Sequence, residues 1–290
     1  MALVLNEEQQ LLRDSAKTFL QECSPVEKLR ELRDSGKQWS PDLWTAMVDM
    51  GWAGIAVPEA YDGLDFGYLG AGLLIEECGR TLAASPLLSS ALVSACLIES
   101  IGTADQKNRL LPAVASGELI LTLALNEGPR LNPAATTMTA EPAGDEYVLN
   151  GIKVHVLDGM QAEKFMVVAR TGGKPGDPSG LSVFLVDRNT QGVKITSTLN
   201  ADNRLTCAIK FDDVQVNADA LLGEAGDAWA GLEKALDIGA VCSASEMLGI
   251  AQEAFDRTVQ YLKERKQFGV LIGSFQSLQH RAAVLFCELD

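Results

Sequence analysis

Histidine is nearly absent: two in 290 residues, His155 and His280. The six cysteines, at 23, 78, 96, 207, 242 and 287, are scattered without a Cys-x-x-Cys pair, so no recognisable zinc site can be assembled. Reduced, mostly buried thiols are the expected state. Long hydrophobic runs are missing too. Leu119 to Leu125 is among the longest, far short of the roughly 18 residues that suggest a membrane span. The opening MALVLNEEQQLLRDSAKTF lacks a basic start, apolar core and small-residue cleavage site, which makes a cytoplasmic location the default expectation. Positive charge is scarce: 24 Lys and Arg stand against 39 Asp and Glu, a net charge of -15. This argues against nucleic acid and anionic membrane surfaces as general partners. An anionic ligand stays open, because a local Arg or a helix N-terminus sets the field at a site.

What is there divides into three segments by hydrophobic period. Residues 1–118 read as helices. Asn6 is an N-cap for EEQQLLRDSAKTFL, whose Leu11, Leu12, Ala16, Phe19 and Leu20 form one apolar stripe. Pro41 starts a second helix and Gly51 ends it. VPEAYDGLDFG is turn chemistry, and three helical stretches follow it. The middle one, PLLSSALVSACLIESIG, is apolar on nearly every side and should be buried. From 119 to 222 the period changes to two. LTLALNE, TTMTAE, YVLNGIKVHVL, FMVVART, LSVFLVD and CAIKFDDVQV are short strand-like runs bounded by Gly, Pro, Asn and Asp. Within them Asn150-Gly151 is the strongest hairpin signal, a type I′ turn. From 223 to 290 the helical period returns, sustained from Asp227 to Lys263 and resumed, after the turn KQFGVLIG, from Ser274. This last helix shows no stop signal: Glu288, Leu289 and Asp290 put acids at the wrong pole of its dipole. The expected fold is α+β: an N-terminal helical bundle, a central β domain of sandwich or barrel type, and the start of a C-terminal helical bundle. Two helices cannot cover their own apolar faces, so more chain or another subunit is expected to cover them.

RKQFGVLIGSFQSLQHRAA resembles the C-terminal signature of the acyl-CoA dehydrogenase family: Arg-x-x-Phe-Gly, a short turn, then Phe-Gln and a basic helix. LNEEQQLLRDSAKTFL, GWAGIAVPEAYDG, IEECGRTLAASPL, GDEYVLNGIKV and FDDVQVNADALLGEAGDAW resemble further family phrases, in the same order along the whole chain. The resemblance implies FAD-dependent α,β-desaturation of an acyl-CoA thioester, in lipid catabolism of the β-oxidation kind. Electrons would pass to an electron-transfer flavoprotein, and the chain would sit in a homo- or hetero-oligomer with a related subunit. Arg265 matches the family's Arg that reaches across a subunit boundary to the flavin pyrophosphate, and Phe268 and Gln276 match further cofactor contacts. Read alone, Arg265 is a solvated charge near a helix end and Gln276 a helix-surface residue.

The resemblance is looser in the β segment. The family's flavin loop, Thr-Glu-Pro-Gly-Ala-Gly-Ser-Asp, corresponds to Asn126 to Pro133 here, one residue shorter before the next matched strand. Leu125, Asn126 and Asn132 take the cofactor-loop positions, and both Asn side chains can donate hydrogen bonds. Where the family has Trp-Ile-Thr against the flavin, this chain has His155-Val156-Leu157. His155 can stack on a flavin, although a lone His on an alternating strand is more often an ordinary side chain satisfied by a neighbour. The family's catalytic Glu usually corresponds to a position beyond residue 290. Its alternative position is occupied by Gly239 and the Arg that often follows by Ala240, so no catalytic residue is assigned. Asp237 aligns with a substrate-contacting acid of some members and reads equally well as a solvated helix residue. Three expectations follow: a dehydrogenase represented by an incomplete chain, a non-catalytic subunit of a heteromeric dehydrogenase, or a binding or scaffold protein that kept the fold and lost the flavin.

Overall fold

In the computed structural model, which describes residues 4–37, 39–202 and 204–289, Asn6 caps the first helix reciprocally. Its side chain accepts from the Gln9 N–H at 2.8 Å, and the Gln9 side chain accepts from the Asn6 N–H at 3.0 Å. Helix α1 spans Glu7–Cys23. A helix without a counterpart in the sequence pattern follows, α2 (Val26–Asp34); six of its nine residues are charged and none is buried, so it lacks a legible apolar stripe. Helix α3 (Pro41–Asp49) is capped by the Ser40 hydroxyl, and beyond it Gly51 takes the left-handed conformation (φ 78°). Helix α4 spans Gly67–Thr81. The expected buried helix is present but begins as a π-helix (Leu87–Ser94) before tightening into α5 (Ala95–Ile101), and α6 (Ala104–Ala115) follows.

Eight strands come next: β1 (Leu121–Ala124), β2 (Thr139–Ala143), β3 (Glu146–Leu157), β4 (Lys164–Arg170), β5 (Leu181–Asp187), β6 (Val193–Leu199), β7 (Leu205–Asn217) and β8 (Leu221–Leu222). They form one sheet in the order β6-β7-β3-β2-β4-β5-β8, with β1 pairing in parallel to β4. Asn150-Gly151 is not a turn. It lies inside β3, where a register shift against β7 between Leu149 and Gly151 marks a bulge. The Asn150 amide donates to Asp213 Oδ1 and its oxygen accepts from the Asp213 N–H, both at 2.9 Å, which holds the bulge to β7. A side chain at position 151 would meet Met138 Cγ at 2.7 Å, so the Gly serves close approach rather than reversal. The chain reverses earlier, at Gly144-Asp145, between the paired Ala143 and Glu146.

Helix α7 runs unbroken from Trp229 to Glu264, 36 residues and therefore about 54 Å. A small hairpin, β9 (Lys266–Gln267) and β10 (Val270–Leu271), separates it from α8 (Gln276–Leu289); Asp290 lies outside the described residues. Here a two-residue turn with both φ angles positive does occur, at Phe268 (54°) and Gly269 (81°), the backbone required of type I′. The element order is α+β, as the changes of period require.

Two compact units divide the chain. One holds residues 32–71 and 84–240. Its core joins helix and sheet: Leu97 and Ile98 of α5, Leu111 of α6, Met166 and Val168 of β4, Leu181 and Val183 of β5, and Leu232 and Ala235 of α7 are all buried in one cluster. The other holds residues 4–31, 72–83 and 241–289. There α4 and α7 touch through backbone: a Cβ at Gly249 would lie 1.9 Å from the Glu76 carbonyl oxygen. Arg80 stands beside this crossing, 2.7 Å from Asp256 and 3.5 Å from Glu253 on α7 and 3.8 Å from Glu77. Burial pushes the Glu77 carboxyl up, with Arg80 pulling the other way.

No residue of α8 is buried, and Val284, Leu285 and Phe286 are among its exposed apolar residues. Val241, Met247, Leu248 and Ile250 on α7 are exposed as well. Apolar faces of this kind associate in water. The chain is therefore expected to sediment above the monomer mass, increasingly so with concentration; a monomer over the whole range contradicts that. Among the described residues no helix is long and apolar enough to cross a membrane, and no cluster of His, Cys, Asp or Glu could hold a metal ion. None of the cysteines is in a disulfide; Cys23 and Cys287 are exposed and the other four buried.

Candidate functional site

The loop from Leu125 to Met138 leaves β1 and enters β2, lining a cleft of about 360 Å³ with Asn126, Gly128, Arg130, Asn132 and Thr137 among its walls. Its two ends are tied to one carboxylate. Glu127 accepts from the Thr137 N–H (2.7 Å), the Thr137 hydroxyl (2.5 Å) and the Met138 N–H (3.0 Å). Below it lies Lys153, an inward-facing residue of β3 with no solvent exposure, whose Nζ donates to Glu127 Oε1 at 2.7 Å and to the Leu125 carbonyl at 3.1 Å. The Val154 N–H donates to the Asn126 carbonyl at 2.7 Å. A second cation holds the far side: buried Arg170, at the end of β4, donates to the carbonyls of Thr136 (2.8 Å), Ala134 (2.6 Å), Asp177 (2.8 Å) and Ser179 (3.0 Å).

Electrostatics follow from this burial. Desolvation pushes Lys153 down from 10.5 to about 8, against the attraction and hydrogen bond of Glu127. Burial raises the Glu127 carboxyl, but Lys153 and the two Thr137 donors together outweigh it and leave the group below its usual range. The folded Lys153 value lies below the unfolded one, so between about pH 8 and 10.5 the folded protein holds fewer protons and stability rises with pH. Urea unfolding should show this window as a gain on the order of 3 kcal/mol for the wild type relative to Lys153→Met. Parallel stability curves for the two proteins would contradict the buried cation.

Leu125, Asn126 and Asn132 therefore sit together in one loop, and Val154, the chain neighbour of His155, is hydrogen-bonded to it at Asn126, while His155 itself is not among the residues lining the cleft. His155 departs from the expectation of a neighbour-satisfied side chain. It is exposed, has no hydrogen-bond partner among the described residues, and takes a left-handed backbone (φ 53°) at a second bulge of β3 between Lys153 and Val156. Leu157 offers only its carbonyl, which accepts from the Thr122 hydroxyl at 2.5 Å. Arg265, Phe268 and Gln276 belong to the other unit, around the small hairpin. Arg265 is exposed without an ion pair among the described residues, the Ile272 N–H donates to its carbonyl, and Phe268, 91 % exposed, meets Phe275 edge-on at 6.2 Å. On α7, Asp237 is exposed; Gly239 carries no carboxylate, and a Cβ there would come within 3.3 Å of Val93.

The residues present fit a flavin ring on one observation. Asn126 Oδ1 is buried in the cleft wall without a donor, and a ring N–H is a donor of the kind it lacks. Glu127, Lys153, Thr137 and Arg170 escaped the sequence reading because their partners are distant in sequence. The available signal was a Lys at an inward position of an alternating strand.

Comparison with known proteins gives three consecutive family models: acyl-CoA dehydrogenase N-terminal domain over residues 6–118, middle domain over 126–214 and C-terminal domain over 226–290. A probable acyl-CoA dehydrogenase of Bacillus subtilis, YngJ, is 33% identical over 297 residues, covering 100% of this chain and 77% of the relative. The mitochondrial short/branched chain specific acyl-CoA dehydrogenase of Rattus norvegicus is 30% identical over 97% of this chain, which spans 65% of that protein. Among solved structures, the ChsE4-ChsE5 complex of Mycobacterium tuberculosis matches with a TM-score of 0.86 at 26% identity, over 100% of this chain and 76% of that one.

Proposed function

Because the chain belongs to the acyl-CoA dehydrogenase family of flavin-dependent oxidoreductases, we propose that it builds part of a site where an acyl-CoA thioester is desaturated between its α and β carbons. The buried, donor-less Asn126 Oδ1 in a doubly clamped loop carries this reading. In it, Asn126, Asn132, His155 and the backbone from Leu125 onward hold the ring of FAD, while Arg265, Phe268 and Gln276 hold FAD in an assembly with a second subunit. Bound FAD supplies the hydride acceptor. The chain's own residues orient the ring and keep water from the cleft. An electron-transfer flavoprotein is the proposed electron acceptor.

Neither Gly239 nor exposed Asp237 is placed here as the base that takes the α proton, and the family's usual Glu corresponds to a position beyond residue 290. Asn126, Asn132, His155 and Leu157 in place of the family's flavin-contacting residues, with Ala240 in place of the usual Arg, favour a second reading: a subunit of a heteromeric dehydrogenase that donates cofactor contacts to a complete relative.

Anaerobic addition of an acyl-CoA to the FAD-loaded protein separates the two. Bleaching of the flavin in the chain alone supports the first reading. Bleaching only after a complete family member is added supports the second. No bleaching in either preparation contradicts both.

A further inference from the structure

Lys153 is an expensive residue to keep where it is. A wholly buried ammonium forfeits its hydration, and replacing the Lys153–Glu127 pair as a whole by apolar side chains of similar volume would often stabilise the fold or leave it unchanged. Its contacts are specific to the loop: the Leu125 carbonyl on one side of the cleft and, through the Glu127 carboxylate, the amides of Thr137 and Met138 on the other. One cation thus fixes the spacing between the two ends of the loop. Between those ends lies the exposed stretch Pro129 to Asn132, which has no comparable tie. Asn126, whose amide oxygen waits for a donor, stands between Lys153's two acceptors in sequence, with its backbone held by Val154.

We propose that the Lys153–Glu127 pair is a positioning device for the flavin loop, spending fold stability to hold the Asn126 amide at the place where a ring N–H binds. This rests on the flavin reading above. Neither residue is a catalytic residue; each acts through Asn126 and the loop backbone. The specificity gained is that of a preformed site, which binds without first ordering its own backbone.

The test compares three proteins: wild type, Lys153→Met, and Val168→Ala, a core truncation in β4 that removes none of the loop's hydrogen bonds. FAD affinity is measured by fluorescence titration, and amide hydrogen exchange at Thr137, Met138 and Val154 is measured without FAD. The expected result for Lys153→Met is at least about tenfold weaker FAD binding, with faster exchange at all three amides. Val168→Ala should keep its FAD affinity despite reduced stability. Should Lys153→Met fail to fold, Thr137→Val removes one donor to Glu127 and should weaken FAD binding roughly threefold. If wild type binds FAD and the loop variants bind it equally well, or if Val168→Ala loses as much affinity, the positioning role is overturned and the flavin reading stands. If wild type takes up no FAD even with a related subunit, both fall together.

Discussion

Replacing Arg170 by Met should destabilise the protein by about 2–4 kcal/mol, the cost of losing its charge-assisted hydrogen bonds to backbone carbonyls. The residue is 6 % exposed and its guanidinium serves carbonyls from two stretches of chain: Ala134 and Thr136 before β2, and Asp177 and Ser179 before β5. Ala134 keeps a second donor in the Gly176 N–H at 2.7 Å, so its oxygen is not orphaned. Thr136, which is buried, loses its charged donor at a cost of roughly 1–3 kcal/mol, and the carbonyls of exposed Asp177 and Ser179 lose theirs to water. Because a domain of this kind is stable by only about 5–15 kcal/mol, the loss should move the urea midpoint far down. A change below about 1 kcal/mol would mean that water replaces the guanidinium at little cost and that the loop is not clamped from this side.

The second large effect is on ligand rather than stability. Arg265→Ala should weaken FAD retention at least about tenfold, since a charge-assisted bond to a phosphate is worth roughly 1.5–3 kcal/mol. The same change should leave unfolding within about 0.5 kcal/mol of wild type, because the side chain is exposed and has no ion pair among the described residues. That contrast separates a ligand contact from a structural one. Unchanged flavin occupancy in the assembled protein would remove Arg265 from the site, and a large stability loss would reassign it to the hairpin.

Local signals were legible in the sequence where short-range contacts decide the structure. The Asn6 capping box, the Pro41 start and the left-handed Gly51 stop all operate within a turn of helix. The change of period located six of the eight strands of the central sheet, and the uncovered apolar residues of α8 follow from its pattern. Long-range pairing was not legible. Asn150-Gly151 carries the composition of a type I′ turn, yet the long ladder between β3 and β7 makes it a bulge, because continuing the ladder satisfies more backbone than reversing would. The positive-φ turn falls instead on Phe268-Gly269, where a bulky residue takes a conformation that composition would not assign to it. Helix α2 was hidden by its charge, and exposed β6 carries only a partial alternation, Val193, Ile195 and Leu199 broken by Ser197. At the site, Leu125, Asn126 and Asn132 could be placed in a loop by resemblance. Glu127, Lys153 and Arg170 could not, since their meaning lies in partners up to 36 residues away.

The visible absorption spectrum of the purified chain after incubation with FAD and removal of the excess, taken alone and then with a complete family member, tests the central claim most directly. The account predicts retained FAD, in the chain alone if the clamped loop suffices or on mixing if the second subunit is needed. A protein that stays colourless in both conditions would contradict it and leave a fold that has given up its flavin.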